Sequence, residues 1–229
     1  LEYLKIEHGV EIHHQGDLPA RSGLGSSSAF CVGLLNAVYA MLGKRVSKEQ
    51  LAREAIHIER DLLKENVGIQ DQIETAYGGL NKIAIQSSGD FTVEPIILLA
   101  ERKKLLQQHC MLFFTGLSRT ASDIAGDKIK AIPSKTVELN TIHQHVDEAI
   151  SILTRESDDL SDFGRLLDET WRLKRSISSK ISPDFIDDIY AKAKKAGALG
   201  GKLLGAGGGG CIFFFVETEK PAAVINALQ

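Results

Sequence analysis

The stretch Pro19-Ala20-Arg21-Ser22-Gly23-Leu24-Gly25-Ser26-Ser27-Ser28 constrains this chain more than any other. Gly23 and Gly25 permit backbone turns that a Cβ would hinder, and they let a ligand approach the main chain closely. Three serines follow where a helix begins, and serine is a favoured N-cap residue. Behind them Phe30, Leu34, Ala37, Val38 and Met41 recur at helical spacing. A helix entered this way presents unpaired N–H groups and the positive end of its dipole to the loop, which is an anion site. The stretch therefore reads as a phosphate-binding loop. A flexible Gly/Ser linker would be polar and low in complexity, whereas Leu24 lies inside this one and a long apolar helix follows. It is not a Walker A loop, because no Gly-Lys-[Ser/Thr] closes it.

The 229 residues suffice for one large domain or two small ones. Lys and Arg number 27 against 30 acidic residues, a net charge of −3, so no basic field points to nucleic acid or an anionic membrane. Cys31, Cys110 and Cys211 are far apart, each in an apolar run, and read as reduced core residues of an intracellular protein. No apolar run is long enough to span a bilayer, and no signal peptide is visible. The chain begins Leu1-Glu2-Tyr3 and ends Ala227-Leu228-Gln229 inside a helical pattern. Both ends read as cut from a longer protein.

Residues 9–15 have β character and lead into the loop. His13 and His14 would face opposite sides of that strand and are a poor metal pair. Ser47-Lys48-Glu49-Gln50 fits a capping box and predicts a helix to about Leu63. On a wheel of about 100° per residue, Leu51, Ala55, Ile58 and Leu62 line up, and Ala52, Ile56 and Leu63 widen the arc. Glu59 lands at about 80°, inside that apolar arc. A carboxylate there must be paired, hydrogen-bonded or bound to a cation, and the spacing leaves a salt bridge and cation ligation equally open. Gln70-Asp71-Gln72 opens a short helix closed by Gly78-Gly79. Asp71 either favours the helix dipole or acts as a catalytic carboxylate between neutral neighbours.

Residues 82–94 read as a hairpin, and the polar stretch Glu101 to Gln108 as a domain boundary. Cys110 to Phe114 reads as a buried strand. Three helices follow, the third opened by Pro183 at its first position. The run Gly200 to Gly210 then precedes a strand at Cys211 to Val216. Gly205, Gly207 and Gly210 satisfy G-x-G-x-x-G, but the dinucleotide fingerprint follows a strand and opens a helix. The opposite order holds here, so these glycines point to close packing against backbone or ligand.

Together these pieces resemble the GHMP kinases, the superfamily of galactokinase, homoserine kinase, mevalonate kinase and phosphomevalonate kinase. Pro19 to Ser28 is similar to its P-x-x-x-G-L-G-S-S loop, and Leu204 to Cys211 to its C-terminal glycine motif. Within the superfamily the chain most resembles D-glycero-D-manno-heptose 7-phosphate kinases, along nearly its whole length. That likeness is carried by the phosphate loop, by Gln70-Asp71-Gln72 with Tyr77-Gly78-Gly79, by Thr115-Gly116 with Arg119, and by Gly201 to Gly210.

The resemblance implies an α+β, two-domain GHMP kinase fold. Residues 1–107 would form an ATP-binding domain like the second domain of ribosomal protein S5, and residues 108–229 a ferredoxin-like domain. It implies nucleotide binding by Pro19, Arg21, Ser22, Gly23, Leu24, Gly25, Ser26, Ser27 and Ser28, supported by Gly205, Ala206, Gly207, Gly208 and Gly209. Mg²⁺ would sit on Ser27 and Glu59, Asp71 would be catalytic, and Arg119 and Lys202 are candidates for substrate contact. The cofactors would be ATP and Mg²⁺. The implied partner is a small-molecule sugar phosphate, phosphorylated at its anomeric hydroxyl to a 1,7-bisphosphate in the cytoplasm, without nucleic acid or membrane. A homo-oligomer is left open. Kinases of the galactose, fucose or mevalonate type, and a non-catalytic binding module of the same fold, are the alternatives. The resemblance implies that the family's first motif and its final strand lie outside this piece, which leaves open whether it is active by itself.

Overall fold

A computed structural model describes residues 1–20, 22–117 and 132–229. Helix α1 (Ser26–Met41) is followed by α2 (Lys48–Ile56), which runs on through a π-helical turn (His57–Leu62), and by α3 (Gln70–Tyr77). Half of the expected capping box forms: Ser47 Oγ accepts from the Gln50 N–H at 3.0 Å, while the Gln50 amide donates to Glu54 at 2.8 Å. The expected hairpin forms from β1 (Asn81–Ile85) and β2 (Phe91–Pro95), antiparallel with Ile83 opposite Val93. Then come α4 (Ala100–His109), β3 (Cys110–Phe114), α5 (Thr136–Thr154), α6 (Ser161–Arg175), α7 (Asp184–Ala196), β4 (Ala198–Leu203), β5 (Cys211–Val216) and α8 (Pro221–Leu228).

The N-terminal helices share one core. Val32, Leu35 and Tyr39 of α1 pack on Leu51 and Ala55 of α2, while Ala52, Ile69 and Ile73 join α3 to Phe91 of the hairpin. The apolar spacing of α1 did not mark its buried face. Val32, Leu35, Val38 and Tyr39 are buried, whereas Phe30 is 42% and Met41 51% exposed. The helix is apolar around most of its circumference, so periodicity alone could not set its phase.

In the C-terminal half an antiparallel sheet has the order β3-β5-β4. Ile212, Phe214 and Val216 of β5 enter one cluster with Trp171, Ile186 and Tyr190. Phe213 and Phe215 enter the other with Ile152, Leu160 and Leu166. Alternate side chains of a strand face opposite ways, and both faces are covered, so β5 is apolar without interruption. Strand β4 was hidden inside the glycine run. Its glycines let α6 lie directly on it: a Cβ on Gly200 would run into the Gly164 carbonyl oxygen.

Helix α4 spans the division expected at 107/108, and it packs on the C-terminal sheet. Leu105 and Leu106 join the cluster around Phe215, the His109 ring stacks on Phe215 with centroids 4.5 Å apart, and Arg102 donates to the carbonyls of Ile152 and Leu153 at 2.8 and 3.0 Å.

Three local expectations are corrected. Residues 9–15 are irregular and mostly exposed, since no strand among the described residues pairs with them. Pro183 is the N-cap of α7, with ψ of 159°, rather than its first helical residue. Cys211 is buried, but Cys31 is half-buried and Cys110 exposed at the edge of the sheet. Among the described residues no helix is long and apolar enough to cross a membrane.

Candidate active site

The site grows from the N-terminus of α1. Its N-cap is Gly25, in the left-handed region at φ 71°, and no side chain caps the helix. The serines expected to cap it are turned elsewhere: Ser27 and Ser28 donate their hydroxyls to Glu59, at 2.5 and 2.8 Å. The first-turn N–H groups of a helix have no partner within it, and here they face a loop built for close approach.

Glu59 is 2% exposed. It lies in the π-helical turn, where each turn holds an extra residue and the phase drifts away from an ideal α wheel. That drift carries Leu62 and Leu63 out to 52% and 64% exposure, although both fall on the apolar arc of the ideal wheel. A third donor, Gln72 Nε2 from α3, also reaches the Glu59 carboxylate. These three hydrogen-bond donors are neutral, so none of them offsets the attraction of a carboxylate for a cation. A carboxylate beside a hydroxyl is a hard oxygen set of the kind Mg²⁺ takes while phosphates and waters fill its other positions. Among the described residues no group of three or more His, Cys, Asp or Glu side chains could hold a metal by itself.

Asp71 is the second residue of α3 and faces the phosphate loop. A Cβ on Gly25 would stand 3.4 Å from Asp71 Cγ and 3.5 Å from Oδ2. Asp71 keeps access to solvent. The surrounding protein nevertheless raises its pKa above the ordinary value, the charge of Glu59 adds to the rise, and Lys202 opposes it.

The glycine loop between β4 and β5 supports the phosphate loop backbone against backbone. The Cys211 N–H donates to Ser22 O at 2.7 Å. A Cβ on Gly23 would stand 2.8 Å from Leu204 O, and one on Gly205 2.8 Å from Gly23 Cα. On the far side the Gly208 N–H donates to Ile181 O at 3.0 Å and the Gly210 N–H to Leu117 O at 2.7 Å. Lys174 Nζ donates to Gly205 O at 3.0 Å.

The structure thus brings together Ser22 to Ser28, Glu59, Asp71 and the glycine loop. Ser22 is fully buried and its Oγ has no hydrogen-bond partner among the described residues. Leu24 and Ser26 are half-buried and Pro19 is exposed ahead of the loop. Ala206 packs against the C-terminal core. Lys202 lies on β4 opposite Phe213 and acts electrostatically on Asp71. Arg21 and Arg119 lie outside the described residues. Sequence reasoning missed Gln72 as a partner of Glu59. The available signal was a polar residue on the stripe of Ile69, Ile73 and Ala76, the same kind of signal that singled out Glu59.

Comparison with known proteins bears on the family and the fold. The profile described as GHMP kinases N terminal domain matches residues 1–79, and that described as GHMP kinases C terminal matches residues 143–229. The chain is 33% identical over 231 residues to the D-glycero-alpha-D-manno-heptose 7-phosphate kinase of Campylobacter jejuni, across all of this chain and 67% of that protein. The chain belongs to the GHMP kinases. A solved GHMP-type relative, a D-glycero-D-manno-heptose 1-phosphate kinase from Bacteroides thetaiotaomicron, superposes with a TM-score of 0.70 at 29% identity, over 93% of this chain and 58% of that one. The mevalonate kinase of Thermococcus sibiricus is 26% identical over 237 residues, across all of this chain and 66% of that protein. This GHMP kinase chain therefore spans between 58% and 67% of these three relatives. Its α+β architecture is that of the GHMP kinase N- and C-terminal domains.

Proposed function

We propose that this chain carries the core of an ATP-dependent sugar-phosphate kinase whose acceptor is the anomeric hydroxyl of D-glycero-D-manno-heptose 7-phosphate, giving the 1,7-bisphosphate. The observation that carries the reading is the Asp71 carboxylate standing opposite Gly25, at the uncapped N-terminus of α1. Phosphoryl transfer depends mainly on positioning and on neutralising charge at the transferred group. The first-turn amides of α1 and the Ser22 to Ser28 loop would hold the ATP phosphates. Ser27 and Glu59 would hold Mg²⁺, which when bound supplies positive charge to the transferred phosphoryl group. Asp71 would orient the sugar hydroxyl and take its proton, and a carboxylate whose pKa is raised is a better base for that step. Leu204 to Gly210 would keep the phosphate loop in shape.

The likeness to the Campylobacter jejuni enzyme favours heptose phosphate as acceptor, and the mevalonate kinase relative marks another acceptor for the same chemistry. We assign the contacts with the substrate's own phosphate to Arg119 and Lys202, and the division between an ATP-binding domain and a C-terminal domain to the stretch between β2 and α4. Cytoplasm, where ATP and sugar phosphates are found, is the compartment that suits the reaction. Phosphorus NMR of the complete protein with ATP, Mg²⁺ and a panel of sugars and sugar phosphates tests the reading. A new anomeric phosphate only with the heptose 7-phosphate is expected. Transfer to mevalonate or galactose instead overturns the substrate, and absence of any transfer overturns the kinase.

A further inference from the structure

We infer that Gln72 is the positioning residue for the Glu59 carboxylate, tying the cation site to the helix that carries Asp71. The inference rests on the proposed kinase reading and deepens it. Glu59 enters from the π turn after α2, Ser27 and Ser28 from α1, and Gln72 from α3, so three segments meet on one buried carboxylate. Oε2 accepts from both Ser28 and Gln72, and Oε1 accepts from Ser27. A carboxylate oxygen offers about two acceptor directions. Oε2 is therefore filled, and the remaining direction lies on Oε1, beside the exposed hydroxyl of Ser27.

Gln72 is fully buried, and its Oε1 has no hydrogen-bond partner among the described residues. An unsatisfied buried amide oxygen is unfavourable, so a side chain present only for packing would be apolar. The amide is there for its donor. Its neutrality matters as well: Lys or Arg at this position would hold the carboxylate by charge and offset its attraction for a cation. Gln72 is also bonded directly to Asp71 in the chain, so the hydrogen bond that orients Glu59 also seats the base on α3.

The test uses the complete protein and measures binding as well as turnover. Gln72→Met keeps the shape and removes the donor. Mn²⁺ binding in the presence of a non-hydrolysable ATP analogue, followed by electron paramagnetic resonance, is expected to weaken about tenfold, with metal-free nucleotide binding unchanged. In the Glu59→Gln background the same substitution is expected to be silent, because its only route to the metal has gone. Wild-type metal affinity in Gln72→Met, or additive losses in the double variant, overturns the inference. If Gln72→Met does not fold, Gln72→Asn, whose amide falls short of Glu59, is read by the same criteria. Absence of phosphoryl transfer in the wild type would strike the kinase reading alone, since metal–nucleotide binding reports on Gln72 independently.

Discussion

Asp71 and Gly25 face each other across the site: a Cβ added to Gly25 would come into van der Waals contact with the Asp71 carboxyl carbon, at 3.4 Å. The two residues come from different helices, and the absence of a side chain at Gly25 leaves the carboxylate room at the helix end. A phosphate held by that end would lie within reach of a hydroxyl oriented by Asp71.

Asp71→Asn should therefore lose the base and keep the nucleotide. A positioned general base contributes about 10²- to 10⁴-fold, so turnover is expected to fall by that factor while the affinity for a non-hydrolysable ATP analogue stays near wild type. Single-turnover kinetics and calorimetric titration measure the two separately. Near-normal turnover would remove Asp71 from the mechanism.

The raised pKa of Asp71 has a sign that can be tested in two ways. Catalysis needs the ionised form, so kcat/KM should fall on acidification with a midpoint above the ordinary value of 3.8. Lys202 lowers that pKa, so Lys202→Met should move the midpoint to higher pH. For stability, the folded state binds the Asp71 proton more tightly than the unfolded state. The associated stabilisation is full below the unfolded pKa and is lost as pH rises through the folded one. Asp71→Asn should consequently melt slightly higher than wild type at neutral pH, with the gap closing in acid.

Glu59 holds three donors, and removing it leaves them stranded. Glu59→Ala should cost about 1–3 kcal/mol for each buried group left unsatisfied, measured by urea unfolding, and should also abolish saturation by Mg²⁺. Glu59→Gln keeps the volume, so its main effect should be a rise in the Mg²⁺ needed for half-maximal rate. An unchanged Mg²⁺ titration would return Glu59 to a purely structural role.

Gly23 and Gly43 separate close packing from backbone strain. Both have positive φ, 81° and 66°, but a Cβ on Gly23 meets Leu204 O at 2.8 Å while one on Gly43 meets nothing within 4 Å. Gly43→Ala should cost only the left-handed backbone penalty, about 1–2 kcal/mol. Gly23→Ala should cost more, and it should weaken ATP binding because the two loops can no longer touch. Equal losses in thermal denaturation would show that the loop contact contributes nothing.

The sequence alone determined which segments would be special. Glycines and serines carry their backbone preferences with them, so the phosphate loop, the N-cap at Ser47 and the glycine run could be read without a fold. The uninterrupted apolar run of β5 was legible for the same local reason. Glu59 stood out because a carboxylate on an apolar arc is costly wherever the helix packs. Tertiary structure alone decided how those segments meet. The buried face of α1 depends on which neighbours cover it, and Phe30 and Met41 carry no mark that distinguishes them from Val32 and Leu35. The π turn that rotates Leu62 outward has no mark in the apolar spacing, and β4 exists as a strand only because β5 pairs with it. Gln72 reaches Glu59 across 13 positions, and Ser28 reaches it across 31. Such separations leave no periodic trace, because hydrogen bonds between distant segments depend on the whole fold rather than on local spacing.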